Sequence, residues 1–231
     1  MIYLDATVRG DQSSTLPVGN NIYVYPSFSG SFVFSELIKR SDILPYGKVR
    51  LSWAQVGSDT DPYQLGLVYT KSKYTYPGYT IGYIDNTTIP NKNLKPTRTN
   101  SFEVGFETKF LKNRIGLDFT YYNQVSKDQI MGMASSWATG YPYRLINAGE
   151  IQNQGIEITL NTRPVEVGDF SWDLNFNFSK NENKVKKLVD DMDMFELEKA
   201  SWLDVQIAAK VGENFGSIVG PDFKRNAKGD I

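Results

Sequence analysis

The residues of this sequence that could do chemistry are carboxylates and aromatic rings, because the 231-residue chain contains no cysteine and no histidine. This composition excludes thiol nucleophiles, disulfides, imidazole general bases and metal sites built from thiolate or imidazole ligands. The net charge of −1 and the lack of an arginine-rich segment argue against a nucleic-acid partner. The chemistry that is left belongs to acidic side chains and to exposed aromatic rings.

Two groups of acidic residues have spacings that chemistry could use. Asp59 and Asp61, in "GSDTDPY", are two residues apart, as at the start of a calcium loop, but the Gly and terminal Glu of such a loop are missing. Asp190, Asp191 and Asp193 could resemble a catalytic carboxylate cluster. An aspartate turn and a solvated acidic loop explain the two groups better. We therefore predict no catalytic, cofactor-binding or metal-binding residue, and no enzyme activity.

Six aromatic residues lie in two long stretches between the segments that look like strands. Aromatic rings stack on sugar rings and on peptide side chains, so these residues are candidates for contacts with a solute or a partner protein. Packing of one loop on another, or a position at the end of a strand, explains them more simply. The six residues are Tyr76, Tyr79, Tyr83, Trp137, Tyr141 and Tyr143.

The elements that must position these residues are strands. "FSWDLNFNFSKN", residues 170–181, alternates large apolar with small polar side chains, which gives a strand one apolar and one polar face. Similar alternation predicts about seven strands in all, the others lying within residues 1–11, 25–34, 48–56, 101–110, 114–123 and 155–163.

The connections between these strands alternate between short and long. Turns around residues 111–114 and 166–169 are short, whereas residues 57–99 and about 127–154 form long connections. Residues 35–47 read as a short helix ending at Pro45, and residues 183–202 as a polar helix. If the strands zigzag, one rim carries compact turns and the other carries large loops, as in an outer-membrane barrel.

Alternation alone leaves two architectures open. A soluble sandwich or barrel buries its apolar face, whereas a membrane barrel turns that face toward lipid. No run approaches about 18 consecutive apolar residues, so a spanning helix is excluded. The unequal rims and the aromatic residues near strand ends favour the membrane barrel.

Eight stretches, in this order and spacing, resemble the barrel part of SusC/RagA-type TonB-dependent outer-membrane transporters of Bacteroidota. They cover nearly the whole chain, and they are "DQSSTLP" (11–17), "YPSFSGSFVFSEL" (25–37), "YGKVRLSWAQVGSDTDPY" (46–63), "NLKPTRTNSFEVGFE" (93–107), "GLDFTYYNQVSKDQI" (116–130), "ATGYPYRLINAGEIQNQGIEITL" (138–160), "FSWDLNFNFSKNENKV" (170–185) and "VGENFGSIVG" (211–220).

The resemblance implies an all-β fold, with this chain as an antiparallel segment of a transmembrane barrel of about 22 strands. It also implies a location in the outer membrane of a Gram-negative, Bacteroidota-like cell, contact with lipid and a SusD-like surface lipoprotein as lid. The implied activity is TonB-driven import of oligosaccharides or peptides. We expect residues 1–231 to be a partial barrel domain, without the plug domain and the final strands, so that TonB would engage a missing N-terminal part.

The same resemblance decides which face of the strands meets lipid. We expect a lipid-facing set made of Phe170, Trp172, Leu174, Phe176, Phe178, Ile115, Leu117 and Phe119. We expect a lumen-facing set made of Asp118, Thr120, Asp173, Asn175 and Asn177. The alternative is a soluble all-β carbohydrate-binding module. A β-rich hydrolase that uses Asp/Glu pairs is a third hypothesis, and no spacing supports it.

Overall fold

The protein is described by a computed structural model that covers residues 1–38, 42–74, 76–84, 87–189, 192–200, 204–226 and 228–229. Its strands, in chain order, are β1 (Ile2–Gln12), β2 (Ile22–Val33), β3 (Tyr46–Ser58), β4 (Tyr69–Lys71), β5 (Gly82–Ile84), β6 (Thr88–Ile89), β7 (Thr97–Phe110), β8 (Ile115–Ala134), β9 (Tyr143–Val167), β10 (Phe170–Lys187), β11 (Met194–Lys199), β12 (Gln206–Lys210) and β13 (Ser217–Val219).

One large sheet dominates the fold. Its strands follow the order β1-β2-β3-β7-β8-β9-β10, with every pair in that order antiparallel, and the short β6 pairs with β9 in parallel. Two small sheets, β4–β5 and β11–β12–β13, accompany it. The predicted all-β, antiparallel fold and the seven predicted strands are therefore confirmed.

The register of the large sheet brings the apolar residues of all seven strands into line. One row of directly opposed residues crosses the whole sheet and consists of Ile2, Phe32, Val49, Phe106, Phe119, Ile158 and Phe178. Because side chains alternate between faces, a shift of one residue in any strand would move its apolar set to the other face. The repeated alternation in the sequence therefore fixes this register.

The rim with short turns uses left-handed backbone. The turn between β7 and β8 places Leu111, Lys112 and Asn113 at φ values of 50°, 57° and 69°, and the turn between β9 and β10 uses Gly168 at 57°. The connection between β2 and β3 contains a 3₁₀ helix at Phe34–Leu37. The helix predicted over residues 35–47 is therefore much shorter than expected, although residues 39–41 lie outside the described part of the chain.

Two long strands replace the connection predicted over residues 127–154. β8 continues to Ala134 and β9 begins at Tyr143, so that only residues 135–142 join them. This joint holds a 3₁₀ helix, Trp137–Thr139, which ends at Gly140 with a φ of 80°. The prediction was wrong because the outer parts of β8 and β9 do not alternate clearly between apolar and polar residues. These parts form strands because they pair with each other.

The helix predicted over residues 183–202 is also wrong for residues 183–189 and 192–200, and the rest of that range lies outside the described part of the chain. β10 extends to Lys187, and residues 194–199 form β11, which pairs with β12. The small sheet packs on the ends of the long strands through a buried cluster made of Met133, Val185, Leu188, Phe195 and Ala209. Pairing with a distant segment overrides the local helical preference. In the described residues, none of the helical turns is long and apolar enough to span a membrane.

One amide anchors the long connection between β3 and β7. Asn147 on β9 donates from Nδ2 to the carbonyls of Lys95 (2.7 Å) and Asp128 (2.9 Å), and its Oδ1 accepts the Lys95 N–H at 2.9 Å. Leu94, beside this anchor, is fully buried and its carbonyl accepts a bond from Asn20. The last part of the connection is therefore fixed to the sheet by side-chain bonds.

We expect Asn147→Ala to loosen this connection, because three hydrogen bonds are lost and two backbone carbonyls lose a partner. Backbone amides of residues 87–95 should exchange with deuterium about tenfold faster or more, while those of β7 and β8 keep their protection. Asn93→Ala, an exposed neighbour, is the control and should leave the exchange unchanged. Equal exchange in both variants would contradict the anchoring role.

Candidate transport surfaces

The apolar face of the large sheet is open over much of its area. Phe170, Trp172, Phe176 and Phe178 expose between 51% and 64% of their surface, and Leu174 between them is half-buried. The rings that do make contact do so along the sheet: Phe28 stacks on Trp53 and Phe34 on Phe106, with centroids 6.0 and 6.1 Å apart. No second layer of described residues covers this face.

The three predicted positions on β8 belong to the same face. Phe119 lies opposite Ile158, Leu117 opposite Leu160, and Ile115 opposite Thr162, which in turn opposes Leu174 on β10. All three are half-buried by their neighbours along the sheet. The structure thus brings the two halves of the predicted apolar set together on one surface.

A β-bulge near the short-turn rim leaves the alternation of β10 intact. Trp172 pairs with Val165 and Leu174 with Thr162, so β9 carries one residue more than β10 over this interval. The extra residue falls at Arg163–Pro164, and a bulge is a place where a strand tolerates proline. The apolar positions of β10 therefore stay on one face from Phe170 to Phe178.

The opposite face is polar, and an arginine crosses three strands on it. The guanidinium of Arg50 on β3 donates to Asp118 on β8 at 2.8 and 3.1 Å and to the Thr120 hydroxyl at 3.1 Å. Glu107 on β7 lies 3.9 Å from Arg50 and 3.6 Å from the ammonium of Lys48. A bidentate arginine–carboxylate pair is a strong and directional contact, so it ties β3 to β8.

Gly105 on β7 makes this crossing possible. A Cβ at residue 105 would lie only 2.7 Å from Nε of Arg50 and 2.8 Å from one of its terminal nitrogens. Residue 105 is directly opposite Arg50 on one side and Thr120 on the other. Glycine is therefore required for the guanidinium to pass over β7 and reach β8.

A second long side chain crosses a glycine in the same way. Tyr122 on β8 passes over Gly155 on β9, and its hydroxyl donates to Asn181 Oδ1 on β10 at 3.0 Å. A Cβ at residue 155 would lie 2.6 Å from that hydroxyl and would also collide with the Lys180 carbonyl. The close approach of Tyr122 and of the Lys180 carbonyl explains why residue 155 is a glycine.

Amide and hydroxyl side chains continue the polar network toward the short-turn rim. The Thr159 hydroxyl donates to Asn177 at 2.9 Å, Asn177 donates to Asn175 at 2.9 Å, and Asn175 donates to Asn161. Asp173 accepts two bonds from Arg163, at 2.7 and 3.2 Å. The five residues predicted for the lumen thus share the polar face, each in a hydrogen bond with a neighbour.

The six aromatic residues predicted for contacts with a solute or partner divide into two groups. Tyr76 and Tyr79 flank the turn at Pro77–Gly78, their ring centroids 6.4 Å apart, and Tyr83 lies nearby on β5. Trp137 belongs to the 3₁₀ helix between β8 and β9, with Tyr141 and Tyr143 following it. Among the ring contacts of the described residues, none joins the two groups.

Of the acidic residues that the sequence analysis considered, Asp59 has a structural role. The Asp59 carboxylate accepts bonds from the hydroxyls of Ser13 (2.5 Å) and Thr15 (3.2 Å), and so joins the β1–β2 connection to the end of β3. Asp193 is exposed, and Asp190 and Asp191 lie outside the described residues. Within the described part of the chain, no group of three or more Asp or Glu side chains could hold a metal ion.

The sequence patterns did not single out the exposed ring of Tyr69. Tyr69 on β4 is 79% exposed, and a Cβ placed on Gly82 would lie 3.8 Å from its ring atom Cδ1. β4 has only three residues, too few for alternation to reveal a strand. The repeated Tyr and Lys of residues 69–74 were the available signal.

A family model described as "TonB dependent receptor-like, beta-barrel" matches residues 3–201. The chain belongs to this TonB-dependent receptor family. It is 29% identical, over 94% of its length, to TonB-dependent receptor P3 of Formosa agariphila, and 29% identical, over 82% of its length, to TonB-dependent receptor SusC of Bacteroides thetaiotaomicron. It spans only 22% and 20% of these two relatives.

A solved structure gives the same fold. The RagAB peptide importer in its "closed-closed" state matches 99% of the chain with a TM-score of 0.82 and 21% identity, and the chain covers 26% of the matching subunit. The resemblance to SusC/RagA-type TonB-dependent transporters is therefore confirmed. Proteins of this TonB-dependent family are outer-membrane β-barrel transporters and receptors, and the large sheet corresponds to part of such a barrel.

We expect Gly105→Ala to destabilise the TonB-dependent receptor sheet by about 1–3 kcal/mol, because the new methyl group displaces the Arg50 guanidinium from Asp118. Gly116→Ala is the matched control, since its Cβ would meet Asn161 at an ordinary 3.8 Å. Unfolding by guanidinium chloride in lipid vesicles measures the stability of both variants. In an Arg50→Met background the penalty of Gly105→Ala should largely disappear, and a penalty that persists would contradict the crossing as its cause.

Proposed function

We propose that this chain forms part of the wall of an outer-membrane active importer of the SusC/RagA type, in a Gram-negative, Bacteroidota-like cell. Its apolar face contacts lipid and its polar face lines the aqueous lumen. The observation that supports this proposal most directly is the uninterrupted apolar row across seven strands, on a face where aromatic rings remain exposed. A soluble sheet buries such a face, whereas lipid solvates it.

The height of the apolar surface fits a bilayer. On β8 the apolar positions Ile115, Leu117, Phe119 and Tyr121 are followed on the same face by Asn123, whose Oδ1 accepts a bond from Gln152 at 2.9 Å. On β10 the apolar positions run from Phe170 to Phe178, which is nine residues and within the roughly 9–11 that a tilted strand needs to cross the apolar band. Tyr121 at the upper limit has the position of an interfacial aromatic residue.

The charged groups support the same orientation. Lys48, Arg50, Glu107 and Asp118 all lie on the polar face, each next to a residue of the apolar row that contains Val49, Phe106 and Phe119. A charge that faces lipid at that depth costs about 2–4 kcal/mol for Arg or Lys, whereas a hydrated lumen carries no such cost. The polar face therefore belongs to the lumen in this proposal.

Membership of the family supports the rest of the proposal. In the proposal, TonB supplies the energy through parts of the protein other than this chain. A SusD-like surface lipoprotein covers the rim with long connections, and the cargo is an oligosaccharide or a peptide. The exposed tyrosines of the β4–β5 sheet and Trp137 lie at that rim, where they would contact cargo or lid. RagAB is described as a peptide importer, which supports the transport class.

A soluble carbohydrate-binding module is the second candidate, and no observation favours it. Such a module would need the exposed apolar face to be covered, and this face carries Trp172, Phe176 and Phe178 without a covering layer among the described residues. The family match over residues 3–201 points to the membrane barrel instead.

Deletion of the gene in its natural host tests the proposed function. The mutant should lose growth and uptake on particular oligosaccharides or peptides, while growth on their monomers is unaffected. A plasmid copy should restore uptake, and a protonophore should abolish it because TonB draws on the proton gradient. A SusD-like lipoprotein should co-purify with the tagged protein. The proposal would be contradicted if the mutant took up all tested oligosaccharides and peptides normally, or if the protonophore had no effect on uptake.

A further inference from the structure

The β4–β5 sheet presents a face with one aromatic ring and one positive charge. Tyr69 and Lys71 are two residues apart on β4, so their side chains point to the same side. Both are exposed. Thr70 lies between them, opposite Tyr83, on the other side of the sheet. The pair is therefore accessible to a solute from the rim that carries the long connections.

The Tyr69 ring lies next to Gly82 and is open to solvent. Gly82 lies opposite Lys71 on the same face, and a Cβ there would be 3.7 Å from Cβ of Tyr69 and 3.8 Å from its ring. The ring therefore rests beside a residue without a side chain. Its outer surface stays free, as the 79% exposure of Tyr69 shows.

The lysines of this segment outnumber its acidic residues. Residues 69–86 contain Lys71, Lys73 and one acidic residue, Asp85, which lies outside the described part of the chain. Among the ion pairs of the described residues, none includes either lysine. An exposed ammonium on the same face as an open aromatic ring attracts a solute that has both an anionic group and a flat apolar surface.

We propose that this face binds an anionic oligosaccharide. A pyranose ring stacks its C–H surface on Tyr69, and the carboxylate or sulfate group of the sugar contacts the Lys71 ammonium. This inference rests on the proposed function, because it names the class of cargo that the importer captures. The aromatic ring supplies contact area and the lysine supplies the selection for charge.

The dimensions of the sheet favour a sugar over an extended peptide. β4 and β5 have three residues each. A peptide that added to an edge this short would form few main-chain hydrogen bonds, which supply most of the affinity in strand addition. Stacking on Tyr69 needs only one ring and no long edge.

Binding to outer-membrane vesicles tests the inference, with vesicles from a deletion strain as background. The probes are a fluorescent oligogalacturonate of defined length and its methyl ester, which has the same backbone without the charges. At low salt the natural protein should bind the uronate at least about tenfold more tightly than the ester. Lys71→Gln should remove most of this difference and leave the affinity for the ester unchanged. Tyr69→Ala should weaken binding of both probes.

Two exposed residues of the same long connection provide controls. Lys92→Gln removes an equal charge and Tyr74→Ala removes an equal ring, and both should leave both affinities unchanged. Immunoblots of the vesicles confirm that each variant reaches the membrane in equal amount.

Three results would overturn the inference. The first is equal affinity of the natural protein for uronate and ester, and the second is an equal loss in Lys92→Gln. The third is equally tight binding of a poly-glutamate peptide with the same dependence on Tyr69, which would identify an acidic peptide as the ligand. Binding to vesicles is measured without an energy source, so it is independent of transport. If uptake of another cargo is sensitive to the protonophore but the uronate does not bind, this inference is refuted and the proposed function is not. Loss of the energy dependence refutes the proposed function alone.

Discussion

Strand register is the constraint on which this structure depends. Each strand satisfies its backbone hydrogen bonds through its neighbours, and in lipid no other partner is available. The same pairing decides where every side chain points, because one shift of register exchanges the two faces. The row from Ile2 to Phe178 is the visible result, since seven strands contribute an apolar residue to one line. The apolar surface therefore arises from the alignment of the strands, and no single strand is apolar enough to form it alone.

The polar face strengthens that alignment by bonds that skip a strand. Arg50 reaches from β3 to β8 over Gly105, and Tyr122 reaches from β8 to β10 over Gly155. Each of these contacts can form only in one register, because the glycine on the middle strand must lie directly opposite the long side chain that crosses it. Glycine usually weakens a strand, and here the contacts that it permits compensate for this loss of stability. In the proposed importer these side chains form the hydrated wall along which cargo passes.

The sequence predicted the central part of the sheet well and its extensions poorly. Residues 170–178 alternate without error, because one of their faces is uniformly apolar, and the strand and its division into an apolar and a polar face followed from that pattern. Residues 124–134 and 143–154 continue the same strands, but there both faces carry mixed side chains and no period remains to be read. Residues 194–199 form a strand only because residues 206–210 pair with them. Such distant pairing leaves no local signal.

The predicted sites show the same limit. The apolar and polar sets on β8 and β10 followed from alternation, and the structure groups them on two faces as expected. The crossings at Gly105 and Gly155 could not be predicted, because they depend on which residues face each other across three strands. Tyr69 was missed for a related reason: its strand has only three residues, and its neighbour Gly82 comes from a different strand, thirteen residues further along the sequence.

Accessibility of single cysteines along β10 tests the orientation of the wall most directly, since the chain has no cysteine of its own. Cysteine is placed in turn at Phe176, Asn177, Phe178 and Ser179, and the protein is studied in outer-membrane vesicles. A charged, water-soluble maleimide should label positions 177 and 179 and spare 176 and 178, whereas a fluorophore at 176 or 178 should be quenched by brominated lipid. Labelling of 176 and 178 with protection of 177 and 179, or equal labelling of all four, would contradict the proposed lipid-facing and lumen-facing surfaces.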